Sequence, residues 1–177
     1  MKFLFLSEKR HDQIVLFLKK RGEVDWKKDK LSKKEIAQYD WIISYGYHHI
    51  IPSQLVNESK NPIINLHISY LPFNRGTHPN YWSFKDNTPK GVSIHFIDKG
   101  IDTGPILIQK ECSFSKNETL FSSYNKLKKV IEDLFYEYFN KIITQELLPK
   151  PQIGQGTFHK RSDLPTNINW QINVNKI

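Results

Sequence analysis

Three residues carry side chains able to manage charge at a carbonyl. Asn65 and His67 stand two positions apart in "NLHISYLPFNRG" (65–76), and Asp102 lies in "DKGIDTGP" (98–105). On an extended chain, residues two apart project from one face, so a single atom can meet both the amide and the imidazole. An amide donor and an imidazole can hold a carbonyl oxygen as it gains negative charge. A neighbouring carboxylate favours the protonated imidazole, orients the ring and accepts a proton directly or through water. The set suits acyl transfer to a nucleophile that the substrate itself brings. No protein nucleophile stands out: there is no G-x-S-x-G, and Cys112, the one cysteine, falls in the apolar run "GPILIQKECSF". Spacing alone leaves a structural reading open, because a lone N-x-H is more often structural than catalytic.

Such groups need a sheet to present them. "KFLFL", "DWIISYGY", "PIINLHI", "GVSIHFID" and "GPILIQKECSF" read as strands. Between them, "HDQIVLFLKKRG", "SKKEIAQ", "PSQLVNES" and "HPNYWSFKDNTP" read as helices, with Ser32 and Glu35 forming a capping box. This alternation predicts an α/β fold, a mainly parallel twisted sheet with helices on both faces. Ligands of open parallel sheets sit beyond the carboxyl ends of strands. The loops "SYGYHHIIP", "NLHISYLPFNRG" and "DKGIDTGP" should therefore converge on one crevice, making Asn65, His67 and Asp102 neighbours. Residues 118–146 form the longest helical pattern. Its apolar arc spans about 220°, wider than one packed face requires, which predicts a partner interface and a possible homodimer. We divide the chain into a catalytic domain at 1–148 and a tail at 149–177, mostly irregular and packed on the same domain.

The 177 residues carry a formal charge of +8. That length fits one domain with a core of its own, and the lone cysteine fits a reducing, cytoplasmic compartment. "MKFLFLSE" is too short for a signal segment or a membrane span. The lysine-rich stretch 19–35 is interleaved with Glu23, Asp25, Asp29 and Glu35. A mixed-sign run without interleaved aromatics reads as a solvated surface, so neither a nucleic acid nor a membrane is an expected partner.

The ordered pieces "INLHISYLPFNRGTHPNYWSF" and "KGVSIHFIDKGIDTGPILIQKE" closely resemble the catalytic domain of 10-formyltetrahydrofolate-dependent formyltransferases. The resemblance spans about residues 40–112 and rests on N-x-H, L-P, R-G, P-x-x-W, G-V-x-I-H and D-x-G-P-I in order. It implies a Rossmann-like formyltransferase fold with a long C-terminal helix, and a catalytic triad of Asn65, His67 and Asp102. It implies 10-formyltetrahydrofolate as formyl donor and no metal. The pterin would lie against backbone groups of Tyr45, Gly46, Tyr47, His48, His49 and Ile50. Phe96, Ile97, Asp98, Gly100 and Ile101 would close its other side.

Departures from the family narrow the acceptor. No further C-terminal domain of the kind found in tRNA formyltransferases is expected. "FLSEKRHDQ" lacks the glycine-rich phosphate loop of the glycinamide ribonucleotide enzymes. "GTFHKRSDL" (156–164) is similar to a stretch in formyltransferases acting on amino sugars, so a nucleotide-linked amino sugar is the expected acceptor. Its candidate contacts are Tyr70, Arg75, Gly76, His78, Tyr81, Trp82, His159, Lys160 and Arg161, with the cations facing a pyrophosphate and the aromatics a base. Arg75 reads first as a surface loop charge and second as an acceptor contact, and 159–161 equally as an exposed tail cluster. His48 and His49 face opposite ways on an extended chain and make a poor metal pair, while His95 reads as a satisfied strand residue. A formyltetrahydrofolate hydrolase and a nucleic-acid-binding module remain the alternative classes.

Overall fold

The computed structural model describes residues 1–177, and its strands sit where short apolar runs meet turn residues. In chain order the elements are β1 (Lys2–Leu6), α1 (Asp12–Lys19), β2 (Glu23–Lys27), α2 (Lys33–Ile36), β3 (Trp41–Tyr45), α3 (Ser53–Glu58) and β4 (Ile64–His67). There follow β5 (Arg75–Gly76), α4 (Pro79–Lys85), β6 (Gly91–Phe96), β7 (Ile106–Glu111), α5 (Leu120–Ile143) and β8 (Phe158–His159). Two 3-10 turns, Arg161–Asp163 and Val174–Lys176, complete the tail.

The main sheet runs β2-β1-β3-β4-β6-β7. From β2 to β4 all pairs are parallel, whereas β6 and β7 each pair antiparallel. The antiparallel end has a simple cause. Residues 97–105, which join β6 to β7, are too few for the dozen-residue crossover that a parallel return needs.

Alternation along each strand splits the core into two layers. Phe3 and Phe5 face one side and Leu4 and Leu6 the other, all essentially without exposure. The first side packs against α1 and α5 through Ile14, Leu18, Leu127, Ile131, Phe135 and Phe139. The second packs against α2 and α3 through Ile36, with Leu55 and Val56 alongside. Strands covered on both faces read as continuous apolar runs, which is why these were legible. Each large apolar side chain so buried contributes about 1.5–3 kcal/mol.

Two sequence expectations change here. The wide arc of α5 is mostly used inside the chain: Val130, Tyr136, Tyr138 and Ile143 flank its buried stripe and pack on the same core. Only Phe121 and Tyr124 remain well exposed, at 51% and 42%. The lysine-rich stretch also hides an edge strand, β2, whose charged side chains suit an edge because they discourage pairing with another chain. The Ser32–Glu35 capping box is present, with the Ser32 N–H donating to Glu35 at 2.9 Å. Glu35 also pairs with Lys27, and these contacts pull its pKa down to about 2. The tail contains β8, which pairs in parallel with β5 as a second, two-stranded sheet.

Candidate active site

Asn65 and His67 lie on β4, and the β4–β6 register puts His95 directly opposite Asn65. Paired residues share a face, so Asn65, His67 and His95 project together. Asp102 comes from the β6–β7 loop and completes the cluster. Asn65 Nδ2 donates to Asp102 Oδ1 at 3.1 Å and to His95 Nε2 at 3.0 Å. Turning the amide over would set its oxygen against the carboxylate, which fixes the orientation. His95 Nδ1 donates to the Phe96 carbonyl at 2.8 Å, leaving Nε2 as the acceptor for Asn65. The Gly76 N–H donates to Asp102 Oδ2 at 2.9 Å. His67 Nδ1 sits 3.7 Å from Asp102 Oδ1, and its Nε2 is 3.4 Å from the Asn74 carbonyl.

The loop beneath Asp102 is built to hold it. Asp102 is in the left-handed region, φ +52°, a conformation unfavourable for residues other than glycine. Its backbone carbonyl accepts from Gln152 Nε2 at 2.8 Å. Upstream, Asp98 Oδ1 accepts from the Gly100 N–H at 2.9 Å and the Thr103 hydroxyl at 2.6 Å, closing a side-chain-held turn. Gly76 cannot be replaced cheaply on the facing side. Its φ is +90°, and a Cβ there would lie 2.3 Å from the His159 carbonyl oxygen.

The electrostatics add burial to the balance of charge. Burial pulls the His67 imidazole below its ordinary pKa, and the Asp102 charge only partly opposes this. Burial pushes Asp102 up, but His67, His95 and the Gly76 N–H beside it prevail and hold its carboxyl well below the usual range. Asp102 does favour the protonated ring, as the sequence suggested, but burial outweighs it, so the resting His67 leans toward the neutral imidazole beside an ionised carboxylate. Separation explains it: at 3.7 Å the ion pair is too loose to repay desolvation of a ring only 8% exposed.

A profile of the family described as "Formyl transferase" matches residues 4–139, most of the chain. The chain belongs to the formyl transferase family. A methionyl-tRNA formyltransferase of Thermodesulfovibrio yellowstonii is 35% identical over 151 residues, 83% of this chain and 48% of that protein. A dTDP-4-amino-4,6-dideoxyglucose formyltransferase of Mycobacterium tuberculosis is 29% identical over 128 residues, 72% of this chain and 54% of that one. The chain thus spans about half the length of these curated relatives. Among solved structures, the formyltransferase PseJ from Anoxybacillus kamchatkensis superposes with a TM-score of 0.93 at 42% identity. The match covers 99% of this chain and 97% of that one, which was solved with UDP-4,6-dideoxy-4-formamido-L-AltNAc and tetrahydrofolate.

For a formyl transferase, the two loops nominated for the pterin matter next. Tyr47, Ile51 and Ile97 share one apolar cluster, so the loops meet. A cavity of about 150 Å³ lies beside the first loop only, lined by Lys30, Leu31, Tyr47, Ile50, Ile51 and Pro52. Within the first loop, Gly46 has φ +61° and Ile50 is 74% exposed. Tyr47 Oη donates to the Asp29 carbonyl at 2.7 Å, and His49 packs edge-on to the Tyr47 ring. His48 Nδ1 is 3.5 Å from Glu8. Tyr45, nominated for its backbone groups, is 3% exposed and its ring packs against His11 with centroids 4.4 Å apart. On the second loop Phe96 is half-buried, Ile101 is 41% exposed, and Asp98 is occupied by the turn it caps.

The residues nominated for the acceptor divide. Arg75 is spoken for: its Nε and Nη2 donate to Gln152 Oε1 at 3.1 and 2.8 Å, tying β5 to the tail. Tyr81 is 8% exposed and therefore not a free stacking surface. Tyr70 is half-buried in the loop after β4, and Lys160 and Arg161 are exposed. His78 packs on Trp170 with ring centroids 6.0 Å apart, and Trp82 lies flat on His159 at 4.0 Å. His159 Nε2 is 2.9 Å from Asp86 Oδ2 but at an angle that makes no hydrogen bond, so the contact is a proximity of charge only. Five buried side-chain nitrogen or oxygen atoms in the structure have no partner, and four belong to Thr77, His78, Trp82 and His159. An orphaned buried polar atom costs about 1–3 kcal/mol. Sequence reasoning read His95 correctly as a satisfied strand residue but not as a neighbour of Asn65, and it missed Thr77 and Gln152. His95 was present in the sequence only as the last residue of G-V-x-I-H and by its alternation with Ser93, and it needed the β4 register to become meaningful.

Proposed function

We propose that this protein moves the formyl group of 10-formyltetrahydrofolate to the primary amine of a nucleotide-linked amino sugar. The observation that carries the acceptor class is the 42% identity and 0.93 TM-score to PseJ across 99% of the chain. The methionyl-tRNA formyltransferase relative shares 35% identity over 48% of its length, which supports the family chemistry more than its acceptor.

The donor binds with its pterin between the 45–50 and 96–101 loops and its formyl group over Asn65 and His67. A neutral amine of the sugar attacks the formyl carbon, forming a C–N bond and a tetrahedral oxyanion. Asn65 shifts one N–H from within the cluster to that oxyanion. Neutral His67 takes the amine's proton, directly or through water, and becomes an imidazolium that Asp102 steadies. Collapse of the intermediate breaks the bond to N10 of the folate. His67 returns the proton to N10, tetrahydrofolate leaves, and the sugar keeps an N-formyl amide. A ring that begins neutral and gains charge only as the oxyanion forms stabilises the transition state more than the ground state.

The test is a panel of amines incubated with enzyme and 10-formyltetrahydrofolate, followed by mass spectrometry. A UDP-linked amino sugar should gain one formyl group, and water should not compete appreciably. Formylation of charged tRNA or glycinamide ribonucleotide, with every sugar nucleotide ignored, would assign the chemistry to another acceptor.

A further inference from the structure

A cavity of about 260 Å³ lies where the end of α4, the segment joining β7 to α5 and the C-terminal turn meet. Phe84, Lys90, Cys112, Phe114, Lys116 and Val174 are among its walls, and none of its lining residues belongs to the triad or was nominated for the folate or the acceptor. Its frame is held from three sides. The Cys112 N–H donates to the Lys90 carbonyl at 2.8 Å, joining the start of β6 to the end of β7. Lys126 of α5 donates to the Ser113 carbonyl at 2.9 Å. From the C-terminal turn, Asn173 and Asn175 both donate to the Lys116 carbonyl, at 2.8 and 2.7 Å, and the Val174 N–H donates to the Glu118 carbonyl at 2.9 Å.

We propose that this cavity is a binding site, separate from the catalytic cleft, for a small aromatic anion: a single flat ring carrying a carboxylate. It does not depend on the acceptor assigned above. The walls select the ring. Phe84 and Phe114 pack edge to face with centroids 5.4 Å apart, and Val174 adds an aliphatic surface, so a flat apolar body has faces to bury against. The volume falls just under the roughly 300–1,000 Å³ of drug-sized ligand sites, which limits the occupant to one ring. The cations select the carboxylate. Neither Lys90 nor Lys116 takes part in an ion pair. Lys90 is half-buried, its ammonium 5.1 Å from the centre of the Phe84 ring, with one proton donated to the Thr88 carbonyl at 2.8 Å. Burial pulls its pKa down with no carboxylate to compensate for the lost water, a deficit that an anionic ligand would fill. No acidic side chain lines the cavity. Glu118 accepts from Ser122 and pairs with Lys126, and Glu111 is exposed outside the lining. Burial pushes the Cys112 thiol up, so it adds no negative charge either.

Benzoate is the probe, with acetate lacking the ring and benzamide lacking the charge, each titrated by calorimetry into the full chain without folate or sugar nucleotide. Benzoate should bind saturably at one site, and both controls at least about tenfold more weakly. Lys90→Met and Lys116→Met keep the aliphatic stems and remove the charges. Each should weaken benzoate binding, Lys90→Met by about tenfold or more, with Tm and formyl transfer near wild type. Cys112, the one cysteine of the chain, reports occupancy: benzoate should slow its alkylation by iodoacetamide in wild type and not in Lys90→Met. Absence of saturable binding at millimolar benzoate, or equal binding to wild type and both variants, would overturn the site. Displacement of benzoate by tetrahydrofolate or UDP would also overturn it, by giving the binding to the catalytic cleft.

Discussion

The cluster around Asp102 and the patch around Trp82 meet at consecutive residues, Gly76 and Thr77, yet they treat their polar groups in opposite ways. Around Asp102 both carboxylate oxygens accept hydrogen bonds, the Asn65 amide donates within the cluster, and both His95 nitrogens have partners. Around Trp82 four atoms are shut away from water with none. A satisfied, buried network fixes the Asp102 carboxylate and the Asn65 amide in place before any substrate arrives, and in the proposed mechanism Asn65 gives up one internal partner to the oxyanion. An unsatisfied patch is a source of binding free energy, because a ligand that supplies the missing acceptors removes a cost the free protein carries. On the proposed reading, one region is organised for the reaction and the other for holding what reacts.

The sharpest way to break this contrast is to empty the first region. His67→Ala and Asp102→Ala should each lower kcat by about 10³–10⁴-fold, with folate affinity and the folded state retained by fluorescence and circular dichroism. Turnover within tenfold of wild type in either variant would remove the proposed mechanism. Next in size is His95, which acts by positioning Asn65. His95→Ala should cost about 10²-fold in kcat with both KM values held, and His95→Gln should recover part of the loss by offering an acceptor to the Asn65 amide. Equal loss in the two variants would mean that His95 only fills space.

Gly76 joins the regions, so its substitution sharpens the comparison. Gly76→Ala forces a Cβ against the His159 carbonyl at φ +90° and disturbs the N–H that holds Asp102. Thermal unfolding should show a loss of about 1–3 kcal/mol, with kcat down and acceptor KM up together. A change in only one of these kinetic constants would separate the two regions mechanically.

The smallest expected effect concerns pH. The folded-state pKa values of His67 and Asp102 are both depressed, so the unfolded chain binds protons that the native one refuses. The His67 contribution is complete above its unfolded value of 6.5 and is lost as pH falls from there toward the depressed folded value. The Asp102 contribution is complete above 3.8 and is lost only in stronger acid. Unfolding free energy should therefore decline from pH 7 to 5, by at most about 1.4 kcal/mol per pH unit from this imidazole, and Tm should fall with it. His67→Gln should flatten that limb, and a limb unchanged by the substitution would show that other groups produce it.

How far the sequence could be read follows the same division. Asn65, His67 and Asp102 were legible because strand periodicity aligns the first two and strand-end loops must converge in an α/β sheet. β2 was hidden by its charge, since Glu23, Asp25 and Lys27 belong to an edge and carry little apolar signal. His95 needed a strand register, and Thr77 and Gln152 needed the tail folded back against β5 and the Asp102 loop. The side chain of Tyr81 was misplaced because nothing local tells whether a tyrosine beside a crevice faces into it or into the core. The resting charge of His67 depends on burial and on a 3.7 Å separation, neither of which spacing reports.

The most direct test of the division is a single set of steady-state measurements with 10-formyltetrahydrofolate and a UDP-linked amino sugar. Wild type, Asp102→Asn and Trp82→Phe would be compared for kcat and for both KM values. The account predicts that Asp102→Asn loses kcat with both KM values nearly unchanged, and that Trp82→Phe keeps kcat while its acceptor KM alone rises. Loss of acceptor binding in Asp102→Asn with kcat preserved, or loss of kcat in Trp82→Phe with acceptor KM preserved, would contradict it.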